Sequence, residues 1–217
     1  MVRPAINFGK SPKFSKVCTM NYLAHAHLSF DHPEILVGNM ISDFVKGKNQ
    51  FNYPAAVQKG IRLHRAIDTY TDAHPVTREL KYFFRPAYRL YAGAFGDVVY
   101  DHFLANDPAQ FANEGALLDF AAATYQTLEG GFSLLSPLFQ KMLPYMKAQD
   151  WLYNYRYKHG IEQSFGGLVR RAAYLSESET AFSVFNEHYE AMRTCYQEFY
   201  PGLKNFAAHQ LQELLNT

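Results

Sequence analysis

The sequence predicts an all-α protein folded as a single compact domain of many helices. Apolar residues recur with a helical period from residue 31 onward, whereas sustained period-2 alternation and Asn-Gly or Asp-Gly hairpin turns are absent. Hydrophobic residues make up 48% of the 217 residues and charged residues 19%, which is the balance of a folded globular chain. Aromatic residues reach 16%, so we expect a core that is rich in rings.

The individual helices follow from apolar spacing and from residues typical of helix ends. Residues 33–46 place apolar side chains at helical spacing and close on Gly47. Residues 54–73 open with Pro54, a residue type that is common at the first position of a helix, and Val57 and Ile61 form part of their apolar stripe. Further helices are predicted at 76–91, 93–105, 108–128, 134–147, 150–157, 160–175, 178–199 and 203–215.

Residues 1–19 differ in composition from the rest of the chain. They contain no acidic residue, no helical period and no apolar stretch of the kind found in a secretory signal. We expect a disordered or non-native leader ahead of one helical domain at 20–217, with Met20 as the natural start.

Bulk composition narrows the partners and the compartment. No apolar run approaches the roughly 18 residues of a membrane-spanning helix. Lys and Arg number 21 against 20 Asp and Glu, so net charge does not favour nucleic acid. Cys18 and Cys195 lie far apart, which suits a reducing compartment. The sequence therefore predicts a cytoplasmic protein that binds neither membrane nor nucleic acid.

The sharpest local motif is the segment GIRLHRAIDTYTD at 60–72. On a helix, His64, Asp68 and Asp72 follow one another at intervals of four and project from one face, with Cβ atoms about 5–6 Å apart. At that separation an imidazole and a carboxylate can ligate one cation, or one group can orient the other. A solvated polar stripe would show the same spacing, so this segment alone leaves both interpretations open.

Asp101 and His102 interrupt an otherwise apolar predicted helix. Burying an ionisable pair there is costly unless a partner or a metal compensates for the lost hydration. Adjacent helical residues point about 100° apart, so one side chain can reach a metal while the other borders a cavity. A structural role for the pair is an equally good interpretation.

Asp43, His25 and His27 extend the set of candidate ligands. Asp43 lies within the apolar segment Met-Ile-Ser-Asp-Phe-Val, and the two histidines share a face only if their segment is extended. Together with the groups above they form an oxygen- and nitrogen-rich set without cysteine. Such a set suits Mn²⁺, Fe²⁺ or Mg²⁺ more than a structural zinc.

Basic residues flank the candidate helix and occupy the next one. Guanidinium groups bind phosphate and carboxylate, so these residues suit a phosphorylated substrate or an acidic partner. A solvated face with ordinary ion pairs accounts for at least half of them in the alternative interpretation. The residues are Arg62, Arg65, Arg78, Lys81, Arg85 and Arg89.

These motifs resemble those of the bacterial acyl carrier protein phosphodiesterases, also called acyl carrier protein hydrolyases. The resemblance rests on four segments in order, with weaker echoes in WLYNYR at 151–156 and FYP at 199–201. It extends from Met20 to about residue 201. The four segments are MNYLAHAHLS at 20–29, GNMISDFVKG at 38–47, GIRLHRAIDTYTD at 60–72 and DHFLA at 101–105.

The resemblance implies an all-helical fold distantly related to the HD-type metal phosphohydrolases. It also implies hydrolysis of the phosphodiester that joins 4′-phosphopantetheine to a serine of acyl carrier protein, with a divalent metal, Mn²⁺ before Mg²⁺ or Fe²⁺. The products would be apo acyl carrier protein and free phosphopantetheine. The HD-type ligand order of His, His-Asp and Asp is not reproduced in simple form, so individual ligand roles transfer less directly than the family does.

On this basis we assign hypothetical roles to the candidate residues. The predicted metal ligands are Asp43, His64, Asp68 and Asp101, with His25 and His102 as the next candidates. The predicted catalytic residues are His25, His27, Asp72 and His102, with His27 or His102 as general acid and Asp72 orienting His64 or binding a second metal. The predicted substrate-binding residues are Arg65, for the phosphate, and Arg78, Lys81, Arg85 and Arg89, for docking of the acidic acyl carrier protein.

Three alternatives remain open on sequence alone. The chain could be a metal phosphohydrolase acting on a nucleotide or another small phosphodiester. It could instead be a helical protein that binds acyl carrier protein without catalysis. A di-iron oxygenase bundle is weaker, because the candidate helices lack Glu-x-x-His ligand pairs.

Overall fold

A computed structural model describes residues 22–217, and within that range eleven α-helices and no β-strand are found. The all-α prediction is confirmed. The predicted leader, residues 1–19, lies outside the described residues. The helices are α1 (Tyr22–His27), α2 (Pro33–Ile41), α3 (Ala55–Ala73), α4 (Pro75–Tyr88), α5 (Ala92–Ala105), α6 (Glu114–Gly130), α7 (Pro137–Ala148), α8 (Trp151–Asn154), α9 (Lys158–Arg171), α10 (Glu179–Glu187) and α11 (Tyr189–Leu215).

One connected cluster of buried side chains receives residues from all eleven helices. The ring-rich core predicted from composition is confirmed in its centre. There Phe95 of α5 lies with its ring centroid 5.6 Å from that of Phe84 and 5.0 Å from that of Phe165. Edge-to-face and offset ring pairs of this kind add about 0.5–1.5 kcal/mol beyond simple area burial. Helix α5, apolar on nearly every side, is therefore the central helix of the fold.

Helices α2 and α3 pack with their backbones in near contact, which two glycines allow. A Cβ on Gly38 would lie 2.1 Å from the carbonyl oxygen of Val57, and one on Gly60 would lie 2.3 Å from that of Ile35. Any larger residue would force the two helices apart. This close approach fixes the face of α3 that carries His64.

The end of α2 differs from the sequence prediction of one helix over 33–46. The α-helix ends at Ile41 and a 3₁₀ turn, Ser42–Phe44, follows, closed by the Val45 N–H donating to the Ser42 carbonyl oxygen at 2.9 Å. The tighter turn changes the direction in which side chains project. Asp43 lies in this turn, and its carboxylate is 3.5 Å from the His64 ring of α3.

The C-terminal helices are also divided differently from the prediction. The sequence predicted a break near Pro201, between 178–199 and 203–215, whereas the chain breaks at His188 and α11 continues through Pro201. Proline removes one hydrogen bond of the helix interior. Burial of Phe199, Tyr200 and Leu203 around it outweighs that loss.

Candidate metal centre

Four side chains from three parts of the chain converge beside the middle of α3. His25 comes from α1, Asp43 from the 3₁₀ turn, and His64 and Asp68 from successive turns of α3. The Nε2 atom of His64 lies 3.2 Å from Asp68 Oδ2 and 3.5 Å from Asp43 Oδ1, and the Nε2 atom of His25 lies 3.3 Å from Asp68 Oδ1. Asp68 is thus the shared neighbour of both imidazoles.

The two histidine rings are stacked and almost completely buried. Their centroids are 3.9 Å apart with an interplanar angle of 16°, and His25 and His64 are 2% and 4% exposed. None of their four ring nitrogens makes a hydrogen bond of normal geometry within residues 22–217. Buried polar atoms in native proteins are almost always satisfied, so this group is exceptional.

A divalent cation fits this donor set. One ligand atom each from His25, His64 and Asp68 lie within 4.8 Å of one another, and Asp43 approaches the same imidazole. Imidazole nitrogens with carboxylate oxygens and no thiolate are ligands suited to Mn²⁺, Fe²⁺ or Mg²⁺. A cation would also take up one otherwise unsatisfied nitrogen of each ring.

Electrostatics in the cluster reflect two imidazoles sharing one carboxylate. Burial lowers the pKa of His64, but Asp43 and Asp68 outweigh burial and raise it to about 10. Burial and the charge on His64 together lower the pKa of His25. Burial raises the pKa of Asp68, yet the two imidazoles hold it far below its ordinary value. The carboxylate of Asp68 is therefore ionised and available to a cation.

Hydrogen bonds to neighbouring backbone groups hold the segments that carry His25 and Asp43. Asn39 donates from Nδ2 to the His25 carbonyl oxygen at 2.9 Å, and Ser29 Oγ donates to the same oxygen at 2.8 Å. Arg65 donates to Gln50 Oε1 at 2.7 Å and to the Val45 carbonyl oxygen at 3.0 Å. These Arg65 bonds fasten the segment that follows Asp43, so the contacts of Arg65 are those of a positioning residue for that carboxylate.

Asp101 is not brought to this cluster. It is fully buried, and its two oxygens accept from the backbone N–H groups of Leu23 and Ala24 at 3.0 and 2.8 Å. Burial raises the pKa of Asp101 well above its ordinary value in spite of these bonds. Its contacts are those of a cap that joins α5 to the first turn of α1, and they give no support to the predicted metal role.

His102 and His27 also have partners away from the cluster. The Nδ1 atom of His102 lies 2.7 Å from the Tyr155 carbonyl oxygen, which can only accept, so Nε2 accepts from the Tyr189 hydroxyl at 2.9 Å. His27 Nδ1 lies 2.7 Å from the Tyr200 hydroxyl. Burial lowers the pKa of each histidine to about 4, so both are neutral near pH 7.

The helical conformation of α1 explains the separation of the two N-terminal histidines. The sequence left open whether His25 and His27 share a face, which an extended segment would allow. Because the segment is helical, the two residues diverge, and only His25 reaches the cluster. His27 packs instead between Phe111 and Phe120, at ring distances of 5.3 and 5.8 Å.

The predicted basic residues divide into two groups. Arg78, Arg85 and Arg89 are exposed on α4 and just beyond its end, and the Arg85 guanidinium lies 5.1 Å from the centroid of the Tyr82 ring. Lys81 differs, because its Nζ lies 2.6 Å from Asp72 Oδ1 and only 17% of its side chain is exposed. Asp72 is therefore paired with Lys81 and does not orient His64.

Sequence reasoning overlooked Asp97. It lies on α5 and is 7% exposed. Burial and the charge on Asp68 raise the pKa of Asp97, whereas Lys81 opposes this shift. The signal was present, since Asp97 is a carboxylate in the same apolar helix as Asp101, one turn earlier.

No helix in the described part of the chain is long and apolar enough to cross a membrane.

Comparisons with known proteins give a consistent family assignment. A family model described as acyl carrier protein phosphodiesterase matches residues 20–203. A protein of that name from Enterobacter sp. (strain 638) is 34% identical over 184 residues, which are 85% of this chain and 95% of the relative. Proteins of the same name from Escherichia coli O139:H28 and Shigella boydii serotype 18 are 31% and 32% identical over 191 residues, which are 88% of this chain and 99% of each relative. No solved structure matches the chain.

Proposed function

The chain belongs to the acyl carrier protein phosphodiesterase family, and we propose that it hydrolyses the phosphodiester between 4′-phosphopantetheine and a serine of holo acyl carrier protein. The products are apo acyl carrier protein and free 4′-phosphopantetheine. Membership of the family makes the chain an enzyme. The observation that carries the metal-dependent form of the proposal is the convergence of His25, His64 and Asp68 with their ring nitrogens unsatisfied.

The proposed metal ligands are His25, His64 and Asp68, with Asp43 beside them. When bound, a divalent cation supplies charge neutralisation at phosphoryl oxygens and activation of water, and Mn²⁺ is the ion we expect first. Asn39 donates to the backbone of His25, and Arg65 donates to the backbone of the segment that follows Asp43. In other metal sites, hydrogen bonds of this kind orient the residues that bind the metal.

The exposed arginines of α4 supply the proposed docking surface for the carrier protein. Arg78 and Arg85 are seven residues apart and share a face of α4, and Arg89 follows at its end. Tyr82 and Leu90 are 63% and 99% exposed beside them. A basic face with apolar side chains complements an acidic protein and makes association sensitive to salt. In the chain, α4 directly follows α3, the helix that carries His64 and Asp68.

The test is the mass of the carrier protein before and after incubation with enzyme and Mn²⁺. Conversion of holo to apo acyl carrier protein, with phosphopantetheine in the small-molecule fraction, is the expected result. Chelation of the metal should stop the conversion, and Mn²⁺ should restore it. The Asp68→Asn variant should be inactive, whereas Asp119→Asn, the same change at an exposed position of α6, should match the wild type.

Two other results would replace the proposal. Turnover of nucleotide phosphodiesters without release of phosphopantetheine would favour the small-substrate phosphohydrolase. Tight binding of holo acyl carrier protein with no change in its mass, at any metal content, would favour a binding protein.

A further inference from the structure

Lys81 lies on the same face of α4 as Arg78 and Arg85, but its side chain is mostly buried and reaches α3 and α5. Its alkyl chain rests against α5, with Cε 3.4 Å and Nζ 3.8 Å from the place that a Cβ of Gly93 would occupy. Its Nζ lies 2.6 Å from Asp72 Oδ1 on α3. Asp72 follows Asp68 by one helical turn. The residue that binds the ammonium is therefore the neighbour, along α3, of a proposed metal ligand.

A second carboxylate faces the same space from α5. Asp97 follows Gly93 by four residues and therefore lies on the face of α5 that the Lys81 chain crosses. It is 7% exposed, so its carboxyl is largely removed from water. Burial of this kind disfavours the ionised carboxylate, and the positive charge of Lys81 opposes that effect. Lys81 thus joins the acidic residues of α3 and α5.

The pairing of Lys81 with Asp72 affects how many divalent ions can bind near the His25–His64–Asp68 cluster. Many phosphodiester-cleaving enzymes use two metal ions about 3.5–4 Å apart, one near the nucleophile and one near the leaving group. Within residues 22–217, one group of three or more convergent metal-ligand side chains is found, and it contains neither Asp72 nor Asp97. Asp72 is instead paired with the Lys81 ammonium, whose charge also acts on Asp97.

We propose that Lys81 serves as the second cation of the active site. It contacts a non-bridging oxygen of the scissile phosphodiester, and the enzyme binds one divalent ion per chain. This inference rests on the proposed function and refines it, because it moves Lys81 from docking to catalysis. A fixed ammonium held by Asp72 neutralises developing phosphoryl charge without the cost of recruiting an ion.

A catalytic and a docking role for Lys81 predict different kinetics. In Lys81→Met we expect kcat for holo acyl carrier protein to fall by about 10²–10³-fold, as for loss of one preorganised donor, with KM changed less than about threefold. Lys81→Arg keeps the positive charge and should retain most of kcat. Arg85→Ala should raise KM instead. Lys141→Met, on the exposed face of α7, is the matched control and should behave as the wild type.

The number of metal ions gives a readout that does not depend on activity. Equilibrium dialysis against Mn²⁺ should give one ion per wild-type chain, and electron paramagnetic resonance should show a mononuclear ion without exchange coupling. Thermal unfolding of each Lys81 variant checks that it is folded. Two ions per wild-type chain, a coupled spectrum, or a folded Lys81→Met variant with wild-type kcat and raised KM would each overturn the inference. Failure of the wild type to release phosphopantetheine would overturn the proposed function, and the Mn²⁺ stoichiometry would then decide the cation count by itself.

Discussion

The His25–His64–Asp68 cluster and the Asp101–His102 pair are both buried groups of imidazole and carboxylate, yet they differ in what surrounds their polar atoms. In the cluster, four ring nitrogens have no hydrogen-bond partner within residues 22–217. In the pair, both carboxylate oxygens accept from the backbone, and both histidine nitrogens have oxygen partners. Hydrogen-bond satisfaction, and not burial or residue type, separates the candidate site from the structural pair.

The hydrogen bonds of Asp101 and His102 join α5 to other helices. Asp101 joins the central helix α5 to the first turn of α1, whose N–H groups have no partners within that helix. His102 joins α5 to Tyr155 after α8 and to Tyr189 at the start of α11. The bonds of Asp101 therefore fix α1, the helix that carries His25, to α5. A structural group of this kind supports the metal centre from a distance.

The largest expected effect is on the cluster side of the comparison. Asp68→Asn removes the carboxylate that both imidazoles share. Loss of a contact to a metal ligand costs up to about 100-fold in other metal sites, so loss of a ligand itself should lower kcat/KM by more than that. Mn²⁺ affinity, measured by calorimetry, should fall in parallel while circular dichroism stays helical. Asp119→Asn is the control. Undiminished Mn²⁺ affinity in Asp68→Asn would remove Asp68 from the metal centre.

On the structural side, Asp101→Ala should act on stability. It leaves two buried N–H groups without an acceptor, at roughly 1–3 kcal/mol each, so the free energy of unfolding in urea should fall by about 4 kcal/mol. Asp101→Asn, which keeps one acceptor, should lose about half of that. Mn²⁺ affinity of the folded fraction should stay within a few-fold of the wild type. A large loss of affinity with unchanged stability would restore the metal role predicted from sequence.

His102 predicts a pH dependence of stability. Its pKa is about 4 in the folded protein against 6.5 for an ordinary histidine, so the unfolded state binds more protons between these values. Its contribution is fully present above pH 6.5 and is lost as pH falls toward 4, by up to about 3 kcal/mol. His102→Gln should flatten this part of the stability curve measured by urea unfolding, whereas His209→Gln, at an exposed position, should not. An unchanged slope in His102→Gln would show that other groups cause the acid sensitivity.

The smallest expected effect concerns the support of Asp43. Arg65→Ala removes the two hydrogen bonds that fasten the segment after Asp43, so that carboxylate should become less well placed. We expect Mn²⁺ affinity to fall about 10-fold, the lower range for outer-shell partners. Arg62→Ala, on the exposed side of the same helix, is the matched control. A rise in KM with unchanged Mn²⁺ affinity would instead favour the phosphate-binding role that the sequence suggested for Arg65.

The spacing of His64, Asp68 and Asp72 on α3 predicted only part of their arrangement. The spacing of His64 and Asp68 on a helix predicted that they face the same way, and the structure confirms that geometry. The same pattern continued to Asp72, yet Asp72 pairs with Lys81. Spacing along one helix fixes which side chains share a face, but it does not contain the position of the neighbouring helix that supplies their partners.

The sequence by itself determined the helical class, most helix positions, the ring-rich core and the family. These depend on local periodicity, on helix-end residues and on motifs that are contiguous in the chain. The placement of functional groups depended on contacts between distant segments: the 3₁₀ turn that delivers Asp43, the helical α1 that separates His25 from His27, and the packing of α4 on α5 that draws Lys81 inward. Asp101 and His102 acquired structural partners and Asp97 acquired a charged one for the same reason. Whether a buried polar group is satisfied is decided by atoms far away in sequence, so only the tertiary structure separates ligand from cap.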